Sequence, residues 1–168
     1  MSDPLKIFLD VVARKSIDQK WVNSPNQAFK NLPNTNKGDI GEEFTKIYVE
    51  TFGNFTVETE GGRTGEWDVK IGGKKFEIKT SSQDKSGAFQ FNHIRLDSKY
   101  HYVLCIGVRP NDLLFFIWSK ADVATGEAGT LVSMASKGNS SFKLTKKSSD
   151  LKPISDLNKM LLEMLEGK

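Results

Sequence analysis

Residues 66–79 alternate between apolar and charged side chains on both sides of a Gly-Gly pair. A two-residue Gly-Gly loop favours a tight β-hairpin, because the turns that join such strands need positive φ. The turn fixes the register, so Val69 is predicted to lie opposite Phe76, and Asp68 opposite Glu77. One face of the hairpin is therefore predicted to enter the core, while the other face carries the charges.

The remaining apolar pattern predicts an α/β domain. Apolar residues at helical spacing predict helices over residues 3–14, 39–51 and 151–166. Near-continuous apolar runs predict two strands covered on both faces, over residues 100–108 and 113–118. Shorter strands are predicted over residues 55–58 and 142–145, the second of them at a sheet edge. We divide the chain into an N-terminal helix and connector packed on the core, residues 1–37, and one domain, residues 38–168.

Composition narrows the class of protein. The chain has 168 residues with one cysteine and two histidines, which excludes an internal disulfide framework and a multi-cysteine zinc site. No segment approaches the roughly 20 apolar residues that span a bilayer, and the first residues lack the pattern of a secretory signal. We therefore expect a cytoplasmic protein in a reducing compartment with no membrane partner. The net charge of +3 permits a polyanionic partner, and any metal would be bound by carboxylates.

The charged face of the hairpin allows two interpretations. Opposed Asp68 and Glu77 would have Cβ atoms roughly 4.5–5.5 Å apart, where like charges are destabilising. By alternation alone, a solvent-exposed strand with mixed charges explains the face as well as a cation site does. Two converging carboxylates are typical of a divalent-cation site, and Lys79 on the same face could hold a phosphate. The apolar strands that follow favour the cation site, because charges in a well-covered sheet need a specific reason.

These residues resemble a known family. Asp68 followed by Glu77-Ile78-Lys79 resembles the signature of the PD-(D/E)XK nuclease superfamily, the restriction-endonuclease-like fold. The run GDIGE over residues 38–42 is similar to the family's G-x-x-G-E helix opening. The resemblance covers residues 38 to 118, and its one departure is Trp67, which stands where the motif name has proline.

The resemblance implies a restriction-endonuclease-like core, with a central mixed β-sheet flanked by helices, and a DNA endonuclease activity of restriction type. It implies Mg²⁺ as the cofactor, with Mn²⁺ as a substitute, bound by Asp68, Glu77 and the carbonyl of Ile78. Lys79 would orient the nucleophile, and Glu42 would hold a second metal ion or a water. A structure-selective repair or junction-resolving nuclease, and a non-catalytic DNA-binding module of the same fold, stay open as alternatives.

Two neighbouring acids, Glu42 and Glu43, are candidates for the catalytic residue of the helix. Helical spacing places Glu43 nearer the apolar face of its helix than Glu42. The resemblance favours Glu42, and the other acid would then be an ordinary first-turn residue that complements the helix dipole. We take Glu42 as the catalytic candidate.

The segment after Lys79 supplies the candidate contacts to double-stranded DNA. Hydroxyls and a cation suited to phosphate, followed by side chains able to reach base edges, interleave there with aromatic residues. The candidates are Ser81, Ser82, Lys85, Gln90, Asn92, His93 and Arg95. The alternative is a strand whose aromatic side chains belong to the core and whose polar residues are only solvated.

Cleavage of both strands of a duplex by a nuclease with one active site needs a homodimer or two sequential nicks.

Overall fold

Two β-sheets and five α-helices form the fold in a computed structural model that describes residues 3–16, 18–59, 65–134 and 141–167. The helices are α1 (Pro4–Ser16), α2 (Gln27–Lys30), α3 (Asn34–Phe52), α4 (Lys120–Thr125) and α5 (Leu157–Glu166). The strands are β1 (Val57–Thr59), β2 (Val69–Ile71), β3 (Lys74–Ser82), β4 (Ala88–Arg95), β5 (Tyr102–Val108), β6 (Leu113–Ser119), β7 (Leu131–Ser133), β8 (Ser141–Lys147) and β9 (Lys152–Pro153).

The larger sheet has the strand order β1-β2-β3-β5-β6-β9, and the smaller has the order β4-β8-β7. Strands β3 and β5 run parallel, whereas the other neighbours in both sheets are antiparallel. The α/β class with a mixed sheet and flanking helices is thereby confirmed. In the described part of the chain no helix is long and apolar enough to cross a membrane.

The predicted hairpin register is confirmed for the strand residues, with Val69 paired to Phe76 and the intervening pairs in step. The strand before the turn is shorter than predicted, because β2 begins only at Val69. Asp68 therefore lies outside the ladder, although its N–H still donates to the carbonyl of Phe76 at 2.9 Å. The backbone thus departs from regular pairing at the first predicted metal ligand.

The larger sheet is covered on both faces, as its apolar strands predict. One face packs against α3, α5 and the connector, around Leu104 and Ile106 of β5. The other face packs against the smaller sheet, with Phe89 and Phe91 of β4 against Val103 of β5. All five of these side chains are buried. The candidate site residues of β3 therefore belong to a sheet that is packed on both faces.

The N-terminal segment differs from its expected packing. The connector contributes Trp21 to the core, but the apolar side chains of α1 are 39–64% exposed. Helix α3 begins at Asn34 rather than at residue 39, so a division before residue 38 falls inside a helix. The division into an extension and a catalytic domain stays a prediction.

Two elements in the C-terminal part also differ from expectation. Strand β8 lies between β4 and β7 in the smaller sheet, and so is not an edge. Helix α5 begins at Leu157, because Pro153 pairs at the edge of the larger sheet and a proline is excluded from a helix interior.

Candidate active site

A cleft of about 380 Å³ opens between the first half of α3, strand β3 and strand β4. Strand β2 pairs with β3 only at residues 74–76, so the remaining part of β3 borders the cleft. Among the predicted catalytic and metal-binding residues, those that line it are Glu42, Asp68, Ile78 and Lys79. The cleft therefore combines residues from a helix, from the segment before β2 and from β3.

Helix α3 determines which of the two neighbouring acids faces the cleft. Gly41 is buried where the helix packs against Thr80 of β3. The next residue, Glu42, is half-buried and lines the cleft, whereas Glu43 is exposed. The structure thus places Glu42, the acid favoured by the resemblance, beside the other candidates.

Glu77 and Lys79 form an ion pair along one face of β3. Oε1 of Glu77 lies 2.5 Å from Nζ of Lys79, and the two side chains are only 12% and 17% exposed. Residues two apart in a strand lie on the same face, which explains how both reach the same point. Lys79 lines the cleft directly, whereas Glu77 is not part of the lining. Glu77 is connected to the cleft by its ion pair with Lys79.

Asp68 is fixed to β3 by both its backbone and its side chain. In addition to the backbone bond to Phe76, its Oδ2 accepts a hydrogen bond of 2.7 Å from the N–H of Ile78. The carboxylate thus replaces the carbonyl partner that regular pairing would provide. This bond aligns Asp68 with the Glu77-Ile78-Lys79 run, although the two strands are no longer paired there.

The acids of the cleft affect one another electrostatically. The pKa of Glu42 is raised to about 7, first by partial burial and then by the negative charges of Asp68, Asp39 and Glu77, while Lys79 opposes the shift. Repulsion between neighbouring carboxylates favours the protonated form of one of them. The pKa of Glu42 therefore lies well above the ordinary range of a carboxyl group.

Oxygen atoms are the groups at the cleft that could bind a metal ion. Within the described residues, no group of three or more His, Cys, Asp or Glu side chains has the spacing of a metal site. The available donors are two carboxylates, from Asp68 and Glu77, and the backbone carbonyl of Ile78. Oxygen ligands with few carboxylates suit Mg²⁺, which keeps several of its waters. These three oxygen donors are of the kind that Mg²⁺ prefers in proteins.

The predicted DNA contacts divide into two groups. Those that line the cleft are Ser81, Ser82, Gln90, Asn92 and His93, whereas Lys85 and Arg95 are exposed residues outside its lining. Arg95 pairs with Asp97, through two hydrogen bonds of 3.1 Å each.

His93 is brought to the cleft by an irregularity in β4. It has a positive φ of 57° at the point where the pairing of β4 with β8 shifts register. Its Nδ1 lies 3.2 Å from Oγ of Ser141. A one-residue bulge of this kind redirects a side chain, and the alternating sequence pattern does not reveal it.

Some cleft residues were not predicted from the sequence. They are Asn34, Lys37, Gly38, Thr80 and Asp84. Lys37 is the informative one, because it belongs to the segment interpreted as a connector, where several lysines are scattered among polar residues. Nothing in the local pattern distinguishes it from a solvated lysine.

Comparisons with known proteins bear on the fold. No protein-family model matches the chain, and no curated protein sequence matches it. Solved structures do match, among them that of a bacterial homing endonuclease, I-Ssp6803I, with a TM-score of 0.50 and 17% sequence identity. The match covers 80% of this chain and 93% of the other. At this identity the similarity is one of fold, and the fold is one that an endonuclease has.

Proposed function

We propose that this chain is a Mg²⁺-dependent DNA endonuclease that hydrolyses phosphodiester bonds in double-stranded DNA. The observation that carries the proposal is the meeting of Glu42, Asp68 and Glu77 with Lys79 around one cleft. Partly buried acids whose charges raise the pKa of one of their number, grouped with a lysine in a cleft, are typical of functional sites. The endonuclease fold of the structural neighbour supports the same reading.

Asp68, Glu77 and the carbonyl of Ile78 would hold the metal ion. When bound, Mg²⁺ supplies electrostatic stabilisation of the negative charge that develops on the phosphate during hydrolysis. Asp68 is already oriented by the N–H of Ile78, so little reorganisation of that ligand is needed. Mn²⁺, which also accepts oxygen ligands, is expected to substitute.

The remaining polar groups act on water and phosphate. Lys79 lies beside Glu77 and presents its ammonium to the cleft, where it can neutralise a phosphate oxygen and orient a water. The water oxygen attacks phosphorus and releases a proton, one P–O ester bond breaks, and the leaving oxygen takes up a proton from solvent. The products are a phosphate monoester and a hydroxyl. Glu42, which lines the cleft with Asp68 and Lys79, can take up a proton from that water, or hold a second metal ion.

The finer assignment is to the PD-(D/E)XK superfamily, with a restriction-endonuclease-like core and a restriction-type role. It is supported by the Asp68 and Glu77-Ile78-Lys79 pattern, by the hairpin that carries it and by the preceding helix with Glu42. A homodimer would place two such sites on the two strands of a duplex. The same site would serve a repair or junction-resolving nuclease.

The test is cleavage of a long duplex by the full chain with Mg²⁺, followed by sequencing of the fragment ends. The proposal predicts products that require a divalent cation and disappear in Glu77→Gln. A shared sequence at the ends indicates a restriction-type role, and cleavage confined to branched DNA indicates junction or repair activity. Binding of DNA without cleavage under any divalent cation would contradict the proposal and favour a non-catalytic module.

A further inference from the structure

Two lysines from different elements converge on one hydroxyl at the end of β3. Nζ of Lys30, from α2, and Nζ of Lys37, from α3, each lie 3.4 Å from Oγ of Ser82. Lys30 also donates a hydrogen bond of 3.0 Å to the carbonyl of Gln83. Like charges that share one neutral acceptor repel each other, so the arrangement is unfavourable unless an anion joins it.

The described residues contain no carboxylate in an ion pair with either lysine. Two acids, Asp18 and Asp84, act on Lys30 through their charge, and both have other partners. Asp18 pairs with Lys20 at 3.4 Å, and Asp84 accepts hydrogen bonds within its own loop, from Ser86 and Ala88. The positive charge at Ser82 is therefore only partly compensated by the protein.

Aromatic rings hold both ammonium groups in place. Nζ of Lys30 lies 5.3 Å from the ring centre of the buried Trp21, and Nζ of Lys37 lies 5.7 Å from that of Phe29. The pKa of Lys37 is lowered by partial burial and then by Lys30, which reflects the same crowding of positive charge. Two ammonium groups held in this orientation are suited to bind two oxygens of one phosphate group.

The position of this pair relates it to the candidate active site. Ser82 and Lys37 line the same cleft as Lys79, and Ser82 follows Lys79 by three residues of β3. At a strand rise of about 3.3 Å per residue, the backbone positions of the two residues are roughly 10 Å apart along β3. Their side chains start from opposite faces of the strand, and both reach the cleft at its unpaired edge. One strand of a duplex advances about 3.4 Å per nucleotide along its axis, so it spans this distance within about three nucleotides.

We propose that Lys30, Lys37 and the hydroxyl of Ser82 form a second phosphate site that binds the DNA backbone within three nucleotides of the phosphate to be cleaved. The inference rests on the proposed function, since it assigns the ligand of the same cleft. The site contacts phosphate alone, so it positions the strand over Glu77 and Lys79 without reading its sequence.

The test measures binding of a duplex to the full chain in Ca²⁺, over a series of salt concentrations, for the wild type, Lys30→Gln, Lys37→Gln and the double variant. Each single change is expected to make the negative slope of log K against log salt shallower by about one, and the double change by about two. Lys74→Gln is the matched control, an exposed lysine at the opposite end of β3 that should leave the slope unchanged. Melting curves establish that each variant folds.

A second measurement locates the contact. After the cut position is mapped, a duplex with a single uncharged methylphosphonate is expected to bind the wild type more weakly at one position within three nucleotides of the cut. That loss should vanish in the double variant. Slopes equal to that of Lys74→Gln, in a protein that still cuts DNA, would overturn the phosphate site and leave the nuclease intact. A wild type that neither binds nor cuts duplex would overturn both.

Discussion

Gly41 of α3 lies so close to Thr80 of β3 that a Cβ added to the glycine would stand 1.8 Å from Oγ1 of the threonine. Helix and strand approach each other to this distance only because the glycine has no side chain. Within the helix, the hydroxyl of Thr45 donates a hydrogen bond of 2.7 Å to the carbonyl of Gly41, one turn earlier. Because Glu42 is the next residue of α3, the close approach of Gly41 to Thr80 brings Glu42 near β3.

Gly41→Ala should therefore destabilise the protein and reduce any cleavage activity. The added methyl must displace Thr80 or the helix, at a cost of about 1–3 kcal/mol for overpacking a core contact. Urea unfolding measures the loss. Gly38→Ala is the control, since a Cβ at Gly38 meets no atom within 4 Å and alanine is the better helix former. Equal stability of the two variants would show that α3 does not rest on Thr80.

Lys79→Ala should lower stability in chelator, in addition to any loss of cleavage. The change leaves the poorly exposed Glu77 without its ion-pair partner at 2.5 Å. We expect the free energy of unfolding to fall by about 1–3 kcal/mol, a loss between those for breaking a surface ion pair and a buried ion pair. The matched control is Lys70→Ala, which breaks a 3.0 Å pair with Glu58 between side chains that are 32% and 58% exposed, and should cost about 0–1 kcal/mol. Chemical unfolding of both variants in chelator makes the comparison. Equal losses of stability in the two variants would show that Glu77 is as well solvated as a surface carboxylate.

Glu42 gives the protein a characteristic pH dependence in the absence of metal. Its pKa is raised from 4.5 to about 7, so between these values the folded chain retains a proton that the unfolded chain has released. Stability is then fully present below the lower value and is lost as the pH rises through the higher one. Glu42→Gln should remove this loss, so that its advantage over the wild type in chelator is larger at pH 8 than at pH 5. Unfolding curves at both pH values measure it, and parallel profiles would show that Glu42 ionises freely.

The local structure around the cleft could be predicted from the sequence. The Gly-Gly turn and the strict alternation determine the hairpin, since a slip of one residue would bury its charges. The long apolar strands predicted a sheet covered on both faces, because no other environment accommodates such runs. Glu77 and Lys79 on one strand face followed from the same alternation, and the structure brings them into contact.

The parts that depend on distant chain segments were not predictable in this way. The second sheet pairs β4 with β8, and alternation in each strand does not identify its partner. The convergence of Lys30 and Lys37 on Ser82 joins residues about fifty positions apart, through a connector with no periodic pattern. Asp68 was expected in the ladder and instead uses its side chain to bind the N–H of Ile78, a substitution that only the folded backbone specifies.

The Asp68→Asn variant distinguishes whether Asp68 is a metal ligand or a structural acid. The amide oxygen of asparagine can still accept the hydrogen bond from the N–H of Ile78, so the local backbone should persist. The change removes one of the charges that raise the pKa of Glu42, and in chelator the variant should be at least as stable as the wild type. Saturating Mn²⁺ should raise the melting temperature of the wild type, because the ion binds the folded state alone, and should leave that of the variant unchanged. Glu43→Gln, at an exposed position on the same helix, is the control that should keep the full Mn²⁺ shift. A variant that is less stable in chelator and still gains stability from Mn²⁺ would make Asp68 a structural residue, and the metal site would then lie elsewhere.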